Sequence, residues 1–290
     1  MKKLLLQLDS SRHASVFDQV VAYDAGADRI MSAAGVAPTD VREMVYGCLF
    51  TRGPSDLHNT AVFIGGADMA AGEALFDAAR QSCFGPFRVS IMLDSNGSNT
   101  TAVAAAIKIT TALGGDIRGK RVVVTAGTGP VGMRAAGLLA RAGGDVVITS
   151  RTRADGDRAR ERITARFGAN VHANVLAEVR QSAACLEGAH VLLNAGPSGV
   201  QLVPRTAWAN RSGLQVAVDL NAVPPLGIEG IESADNGVVR DGVKCFGATG
   251  VGRLKMKIHK ACIAKLFERN DAVLDAESIM ELANSSQASG

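Results

Sequence analysis

Apolar and amphipathic stretches alternate along the chain, which predicts strands that alternate with helices. In the first hundred residues, short apolar runs predict strands at 2–9, 29–31, 60–64 and 86–93. Apolar residues at helical spacing predict helices between them, at 16–25, 38–48 and 68–81. Because strands connected by helices form parallel sheets, residues 1–101 are predicted to fold as a small α/β domain.

The same pattern resumes after a bridging helix predicted at 102–113. The later predicted strands lie at 122–125, 145–149, 170–174, 190–194, 215–220 and 244–246. Two predicted helices follow, at 254–267 and 275–284. We therefore expect a second α/β domain at 102–252, with the C-terminal helices of about 253–290 joining the first domain.

The strand at 122–125 leads directly into a glycine-rich turn. Gly127, Gly129 and Gly132 follow it in G-x-G-x-x-G order, and a helical pattern begins at Pro130. The first glycine permits the tight bend, the second lets a pyrophosphate approach the backbone, and the third lets helix pack on strand. The helix start offers amide donors and a positive dipole end. A Rossmann-type parallel sheet that binds a dinucleotide is predicted, with contacts at Gly127, Thr128, Gly129, Pro130 and Val131.

The end of the second Rossmann strand predicts which dinucleotide binds. NAD-specific sites place Asp or Glu there to accept a hydrogen bond from the ribose 2′-hydroxyl, whereas this chain reads Ser150-Arg-Thr-Arg153. Hydroxyl and guanidinium groups suit a 2′-phosphate, which arginine can bind through two hydrogen bonds. NADP is therefore the predicted cofactor, with Ser150, Arg151 and Arg153 as contacts. The alternative is that both arginines are solvated loop charges.

Later strand ends supply further candidates, because open parallel sheets bind ligands beyond the carboxyl ends of their strands. The candidate walls of the cofactor site are Asn194, Ala195, Gly196, Asp219 and Asn221. Turn formation for the glycine and capping for Asn194 are the alternatives. A second glycine-rich segment, residues 247–252, resembles a phosphate loop but lacks a clear strand–turn–helix frame. We interpret it as a turn that could touch the nicotinamide.

Two polar segments outside the Rossmann half are candidates for a substrate site. Residues 94–101 contain no apolar side chain although they follow a predicted buried strand. Such a segment favours ligand contacts, and its alternative is a helix cap by Ser98 or Asn99. Phe17 and Asp18 offer an aromatic face and a carboxylate to a heterocycle, although core packing and a first-turn acid explain them more simply.

The amino-acid composition mainly argues against particular classes of protein and site. The 290 residues are 47% hydrophobic and 20% charged, as in ordinary soluble globular proteins. A net charge of +3 argues against nucleic acid, and no apolar run has membrane-spanning length. The 5 cysteines and 5 histidines are scattered, which argues against disulfides and metal sites and favours a reducing compartment. We expect a cytoplasmic enzyme without a metal ion.

Longer segments carry a more specific signal than the glycines. They include Ser15-Val-Phe-Asp18, Met92-Leu-Asp-Ser-Asn-Gly-Ser-Asn-Thr-Thr101 and Ala126-Gly-Thr-Gly-Pro-Val-Gly-Met-Arg134, together with 23–28, 66–73, 84–89, 221–227 and 259–267. Almost from end to end, the chain resembles the NADP-dependent methylene-tetrahydromethanopterin/methylene-tetrahydrofolate dehydrogenases of methylotrophic bacteria.

This resemblance implies a two-domain subunit with its active site in the cleft between domains, in a homotrimer or hexamer. It implies that NADP lies on the glycine turn, Ser150 and Arg151, and on loops after the later strands. A sister family specific for tetrahydromethanopterin has a different loop at 94–99, and this chain resembles the version that also uses folate. The implied pterin contacts are Ser15, Phe17, Asp18, Asp94, Ser95, Asn96, Gly97, Ser98, Asn99, Thr100 and Lys255.

The chemistry of the implied reaction agrees with the lack of an obvious catalytic dyad. Oxidation of a methylene bridge removes one hydride and moves no proton, so no general base is required. Asp18 or Asp94 could bind pterin N–H groups or favour the developing cation, and Lys255 could orient the substrate. These three residues are the catalytic candidates, although the residues alone would make Lys255 a surface lysine.

Three other functions remain open at this point. A shikimate-dehydrogenase-like NADP reductase would share the Ser150–Arg153 loop, but its early N-K motif is missing. A methylene-folate dehydrogenase with cyclohydrolase activity is a nearer alternative. A non-catalytic NADP-sensing module would need a partner-binding extension, which the short tails do not offer.

Overall fold

The computed structural model describes residues 1–288 and divides the chain into two compact units. The first unit contains residues 1–100 and the chain from residue 256 onward, and the second contains residues 101–255. The sequence predicts the boundaries between the two domains after residues 101 and 252. Residues 289 and 290, which end the expected C-terminal segment, lie outside the described residues.

The chain first forms parallel strands joined by helices. The elements are β1 (Leu4–Asp9), α1 (Val16–Asp24), β2 (Arg29–Ala34), α2 (Pro38–Leu49), β3 (Thr60–Gly65), α3 (Met69–Gln81), β4 (Ser90–Leu93) and α4 (Ser98–Ala112). Short 3-10 turns occupy Pro54–Asn59 and Ser95–Gly97. β4 begins later than predicted because Phe84 and Phe87 exchange backbone hydrogen bonds across a tight turn.

The middle of the chain forms the second unit. Its elements are β5 (Arg121–Thr125), α5 (Pro130–Arg141), β6 (Asp145–Ser150), α6 (Arg153–Phe167), β7 (His172–Val175), α7 (Ser182–Cys185), β8 (Val191–Asn194), α8 (Arg205–Trp208), β9 (Val216–Asp219), β10 (Asn236–Arg240) and β11 (Val243–Phe246). α9 (Ala248–Lys265) begins in the second unit and belongs to the first unit from residue 256. β12 (Val273–Leu274) and α10 (Ala276–Ala288) complete the first unit.

Both sheets are doubly wound, which confirms the α/β class. The first has the strand order β12-β4-β3-β1-β2 and is parallel throughout. The second has the order β10-β11-β9-β8-β5-β6-β7, and only β10 runs antiparallel to its neighbour. In each sheet the strand order reverses direction once, between β1 and β3 and between β5 and β8. Such switch points create the crevice in which α/β proteins bind ligands.

The interpretation of residues 247–252 as a turn is wrong. α9 begins at Ala248, directly after β11, so the strand–turn–helix frame that the sequence did not reveal is present. Glycines weaken helix propensity, and here close packing requires two of the three. A Cβ on Gly247 would lie 2.0 Å from the Glu232 carbonyl oxygen, and one on Gly250 would lie 1.9 Å from that of Asp235.

Each unit has its own apolar core. Leu8, Ile64 and Ile91 are buried in the first unit, and Val123, Leu192 and Trp208 in the second. Burying each such side chain contributes about 1.5–3 kcal/mol. None of the described helices is both long and apolar enough to cross a membrane.

Candidate functional site

The predicted phosphate turn joins β5 to α5, and its glycines have different surroundings. A Cβ on Gly127 would lie 2.6 Å from Ile148 Cβ, and a Cβ on Gly132 would lie 2.8 Å from Gly127 Cα. These two positions therefore require glycine for packing. A Cβ on Gly129 would meet nothing closer than the Ala126 carbonyl oxygen at 3.7 Å. Gly129 thus leaves open space beside the start of α5, where the first helical N–H groups lack intrahelical partners.

A cleft of about 1220 Å³ opens at this turn, at the switch point of the second sheet. It is bounded by the glycine turn, the end of β6, the exposed side of α6 and the loop after β8. Among the predicted cofactor residues, the structure brings together Thr128, Gly129, Pro130, Ser150, Arg151, Ala195 and Gly196 along this cleft. Gly127 lies buried beneath the turn, and Val131 is half-buried in the first turn of α5. The cleft's size and open backbone suit a dinucleotide.

The arginines after β6 take different positions. Arg151 is exposed and lines the cleft. Arg153 is the first residue of α6, and its Nη1 donates to the Ala173 carbonyl oxygen at 3.0 Å, away from the cleft-lining residues. Arg158 and Arg162, which the sequence analysis did not select, also line the cleft. The sequence feature that could have identified them is their spacing of four residues, because it places both on one helix face.

The remaining predicted cofactor residues lie behind the cleft wall. Asn194, Asp219 and Asn221 are buried, and none of them lines the cleft. Asn194 Nδ2 donates to Asp219 Oδ1 at 2.8 Å. Burial raises the pKa of Asp219, although hydrogen bonds from Asn194 and from backbone N–H groups act in the opposite direction.

The predicted substrate residues belong to the first unit, where several gather at the carboxyl ends of β1 and β3. Ser15 caps α1, and its Oγ accepts a hydrogen bond from the Asp18 backbone N–H at 3.2 Å. Asp9 Oδ2 accepts from the Ser15 N–H at 3.0 Å. A Cβ on Gly65 would lie 3.4 Å from both Asp9 Oδ2 and Asp18 Oδ2, so the two carboxylates converge there. The Phe17 side chain is half-exposed.

Most side chains of the 94–100 segment form hydrogen bonds within the first unit. Asp94 is buried, and its carboxylate accepts from the Thr100 N–H at 3.0 Å and the Thr100 hydroxyl at 2.6 Å. Ser95 Oγ donates to the Gly65 carbonyl oxygen at 2.7 Å, and Asn99 Nδ2 donates to that of Leu93 at 2.5 Å. α4 begins at Ser98, four residues before the predicted 102. The capping alternative named Ser98 or Asn99, whereas the Thr100 N–H of the first turn donates to Asp94.

Three residues of this segment retain features of a ligand site. Asn96 and Gly97 adopt left-handed backbone conformations with φ of 55° and 58°, and Asn96 is exposed. The buried Ser98 Oγ has no hydrogen-bond partner within the described residues. Buried hydroxyls normally have a hydrogen-bond partner. The Ser98 hydroxyl therefore favours a ligand bound beside the loop, which would supply that partner.

His259 is a buried polar residue that the sequence analysis missed as a candidate. Its Nδ1 lies 3.6 Å from Asp94 Oδ2, and both side chains are fully buried. Its ring stacks on Phe63, with centroids 5.5 Å apart and planes inclined by 20°. The only local signal was a histidine next to Ile258 on an apolar helix face.

Lys255 and Lys257 differ in exposure, as their spacing predicts. Lys255 is half-buried on α9, whereas Lys257 is exposed. Within the described residues, no group of three or more His, Cys, Asp or Glu side chains is arranged to hold a metal ion.

Comparisons with known proteins agree on one family. The family model described as "Methylene-tetrahydromethanopterin dehydrogenase, N-terminal" matches residues 16–96. The "Bifunctional protein MdtA" of Methylorubrum extorquens is 49% identical over 282 residues, covering 97% of this chain and 98% of that protein. The "NAD(P)-dependent methylenetetrahydromethanopterin dehydrogenase" of the same organism is 32% identical, again covering 97% of this chain and 98% of the relative.

Solved structures support the fold alone, because sequence identity to them is low. Shikimate 5-dehydrogenase from Listeria monocytogenes superposes with a TM-score of 0.54 at 15% identity, covering 97% of this chain and 96% of that one. Quinate dehydrogenase from Corynebacterium glutamicum gives a TM-score of 0.52 at 16% identity, covering 98% and 99%.

Proposed function

The chain belongs to the methylene-tetrahydromethanopterin dehydrogenases and is an NAD(P)-dependent oxidoreductase; we propose that NADP is its preferred cofactor and that it also accepts the folate substrate. The reaction transfers a hydride from the methylene bridge of the tetrahydropterin to the cofactor and leaves the methenyl form. The observation that carries this function is the glycine turn that opens into a dinucleotide-sized cleft at the switch point.

The residues of this cleft fit NADP. Gly129 leaves space for the pyrophosphate beside the start of α5, where unpaired N–H groups and the helix dipole favour negative charge. Arg151 stands at the end of β6, where an NAD-specific protein would place a carboxylate. Arg158 and Arg162 also line the cleft, beside the carboxylates of Glu161 and of Asp155, which pairs with Arg158. When bound, NADP supplies the hydride acceptor.

The proposed tetrahydropterin contacts lie at the carboxyl ends of β1, β3 and β4. The half-exposed Phe17 ring can pack against a heterocycle, and Asp18 can accept hydrogen bonds from pterin N–H groups. Asn96 and Ser98 offer an exposed amide and a buried hydroxyl. Asp94, whose carboxylate is bound to Thr100, acts by holding this loop. Use of the folate substrate rests on the resemblance of residues 94–99.

The chain needs to position the reactants rather than move a proton. Loss of a hydride from a carbon between two nitrogens leaves a resonance-stabilised cation, so no general base is required. Positioning can then supply much of the rate. A carboxylate such as Asp18 favours the developing positive charge, whereas Lys255 serves to orient the substrate.

Lys255→Ala is therefore expected to lower turnover by about tenfold or more. NADP affinity should change little, because Lys255 is assigned to the substrate. Stopped-flow turnover and NADPH titration measure the two quantities separately. Lys257→Ala, an exposed lysine of the same helix, is the matched control. An equal loss of NADP affinity in Lys255→Ala would contradict this role.

The decisive experiment follows NADPH formation by absorbance after mixing protein, NADP and methylene-tetrahydromethanopterin, and then with methylene-tetrahydrofolate. NADPH formation with both substrates is the expected result, and the ratio of rates measures the preference. Formation with tetrahydromethanopterin alone would remove the folate proposal. Equal rates with NAD and NADP would remove the NADP preference.

We also propose a cytoplasmic homo-oligomer, either a trimer or a hexamer. The family resemblance supports the assembly, and α1 exposes Val16, Val20 and Tyr23 at helical spacing on one face. The 5 free cysteine thiols support a reducing compartment. Light scattering of the purified protein tests the assembly, and a monomer would contradict it.

A further inference from the structure

The cleft wall opposite α6 is formed by the loop that follows β8, and the loop that follows β9 supports it from behind. Ala195, Gly196, Pro197 and Val200 of the first loop line the cleft. Behind them lies a buried network of three side chains, Asn194, Asp219 and Asn221, which we call the buttress network. None of the three lines the cleft, although sequence reasoning assigns all of them to cofactor contact.

Asp219 holds the second loop from below. Its Oδ1 accepts from Asn194 Nδ2 at 2.8 Å and from the Asn221 N–H at 3.1 Å. Its Oδ2 accepts from the Ile228 N–H at 2.9 Å. A carboxylate bound by three donors fixes both ends of the 221–228 loop relative to β9, because hydrogen bonds to a charged group are stronger than those between neutral groups.

Asn221 joins the two loops to each other. Its Oδ1 accepts from the N–H groups of Gly199 at 3.3 Å and Val223 at 2.9 Å. Its Nδ2 donates to the carbonyl oxygens of Pro197 at 3.4 Å and Pro225 at 3.2 Å. One side chain therefore sets the position of the cleft-lining loop at Pro197 and Gly199.

Asn194 connects this arrangement to the glycine-turn strand. Its Oδ1 accepts from Thr125 Oγ1 at 2.7 Å and from the Gly196 N–H at 3.3 Å. Gly227 packs closely against this amide, since a Cβ there would lie 1.7 Å from Asn194 Nδ2. The end of β5, the loop after β8 and the loop after β9 are thereby connected through one hydrogen-bond network.

We infer that the buttress network positions the cleft wall that receives the nicotinamide half of NADP, without touching the cofactor. The glycine turn takes the pyrophosphate and the end of β6 takes the adenosine ribose, so the opposite side of the switch point receives the other half of a dinucleotide. This inference rests on the NADP binding proposed above. Asn194, Asp219 and Asn221 are positioning residues for that half only.

The test compares the whole cofactor with its adenosine half. NADPH and 2′,5′-ADP are titrated by calorimetry into wild type, Asn221→Ala and Asp219→Asn. The dissociation constant for NADPH should rise about tenfold or more, whereas that for 2′,5′-ADP should stay within about twofold. Asp219→Asn keeps the side-chain size but turns an amide N–H toward a backbone donor, so it provides a second variant should Asn221→Ala fold poorly.

Asn170→Ala, an exposed asparagine of the same unit, is the matched control and should bind both ligands as wild type does. Unchanged NADPH affinity in both buttress variants would overturn the inference, as would parallel losses for NADPH and 2′,5′-ADP. Failure of wild type to bind NADPH would instead remove the NADP proposal, and the inference with it. No substrate is needed, so an error in the tetrahydropterin assignment leaves this test intact.

Discussion

The two units share a doubly wound topology but differ in what lies at the carboxyl ends of their strands. In the second unit the strand ends border an open cleft of about 1220 Å³, lined at the glycine turn by backbone. In the first unit, three polar side chains of the 94–100 segment, Asp94, Ser95 and Asn99, instead bind backbone groups of the protein. Polar residues at a strand end can therefore serve as ligand contacts or as scaffold, and hydrogen-bond geometry distinguishes the two.

The two glycine-rich segments show the same contrast. At 127–132, two glycines relieve packing and Gly129 faces open space. At 247–252, a Cβ on Gly247 or on Gly250 would overlap carbonyl oxygens of residues 232–235, so both positions are closely packed. Similar glycine spacing therefore predicts an anion site only where the middle glycine faces open space.

The largest expected effect tests whether Asp94 is scaffold. Asp94→Ala should lower the free energy of unfolding by roughly 3–5 kcal/mol, because it leaves the buried Thr100 N–H and hydroxyl without their acceptor. Denaturant unfolding measures the loss. Asp77→Ala, which removes an exposed carboxylate of the same unit, should cost less than about 1 kcal/mol. Full stability with lost activity would instead place Asp94 at the substrate.

Substitutions of Gly129 and Gly127 test whether one glycine of this turn faces the cofactor and the other is required for packing. Gly129→Ala should weaken NADP binding about 100-fold while leaving stability nearly unchanged, because the new Cβ meets only the cofactor's space. The Gly129 φ of −77° suits alanine. Gly127→Ala should lower thermal stability, since its Cβ would clash with Ile148. Calorimetric titration and thermal melts separate the two effects, and normal NADP affinity in Gly129→Ala would refute the site.

The arginines test how the open cleft selects its cofactor. Arg151→Ala should reduce the preference for NADP over NAD by about tenfold or more, because it removes a donor for the 2′-phosphate. Arg153→Ala should have a smaller effect, since its guanidinium binds the Ala173 carbonyl oxygen. The ratio of dissociation constants for the two cofactors gives the answer. An unchanged ratio in Arg151→Ala would end that assignment.

The smallest expected effect concerns Asp235, whose carbonyl oxygen packs against Gly250 of the second glycine-rich segment. Burial acts to raise the pKa of Asp235, but the Arg240 hydrogen bonds and charge outweigh it and hold that pKa below 3.8. Because the folded-state pKa is lowered, the stabilisation is present above pH 3.8 and disappears as the pH falls through the folded value. Arg240→Met should cost about 1 kcal/mol at neutral pH.

The same variant has a distinct acid signature. Below about pH 4, the free energy of unfolding of Arg240→Met should fall less steeply with decreasing pH than that of wild type. Urea unfolding at several pH values would detect this difference. Arg118→Met, which breaks an exposed ion pair of the same unit, is the control and should change neutral stability much less. A pH profile identical to wild type would show that Asp235 is not held by Arg240.

Local patterns were sufficient for most elements and for the family. The run Arg121–Thr125, the three glycines after it and the helical spacing beyond Pro130 predict a Rossmann turn, because each depends on neighbours in sequence. The edge strand β10 was missed because its mixed exposure lacks a strong apolar pattern. β12 was missed because two residues carry too little signal.

The sequence by itself determined the α/β alternation, the phosphate turn and the likeness to methylene-tetrahydropterin dehydrogenases, since these rest on short-range spacing and long matching segments. Only the tertiary structure decided that Asp219 and Asn221 stand behind the cleft wall, that Arg153 turns away and that His259 meets Asp94. Each depends on contacts between residues far apart in the chain, so side-chain type alone cannot say whether a polar group faces a ligand or its own backbone.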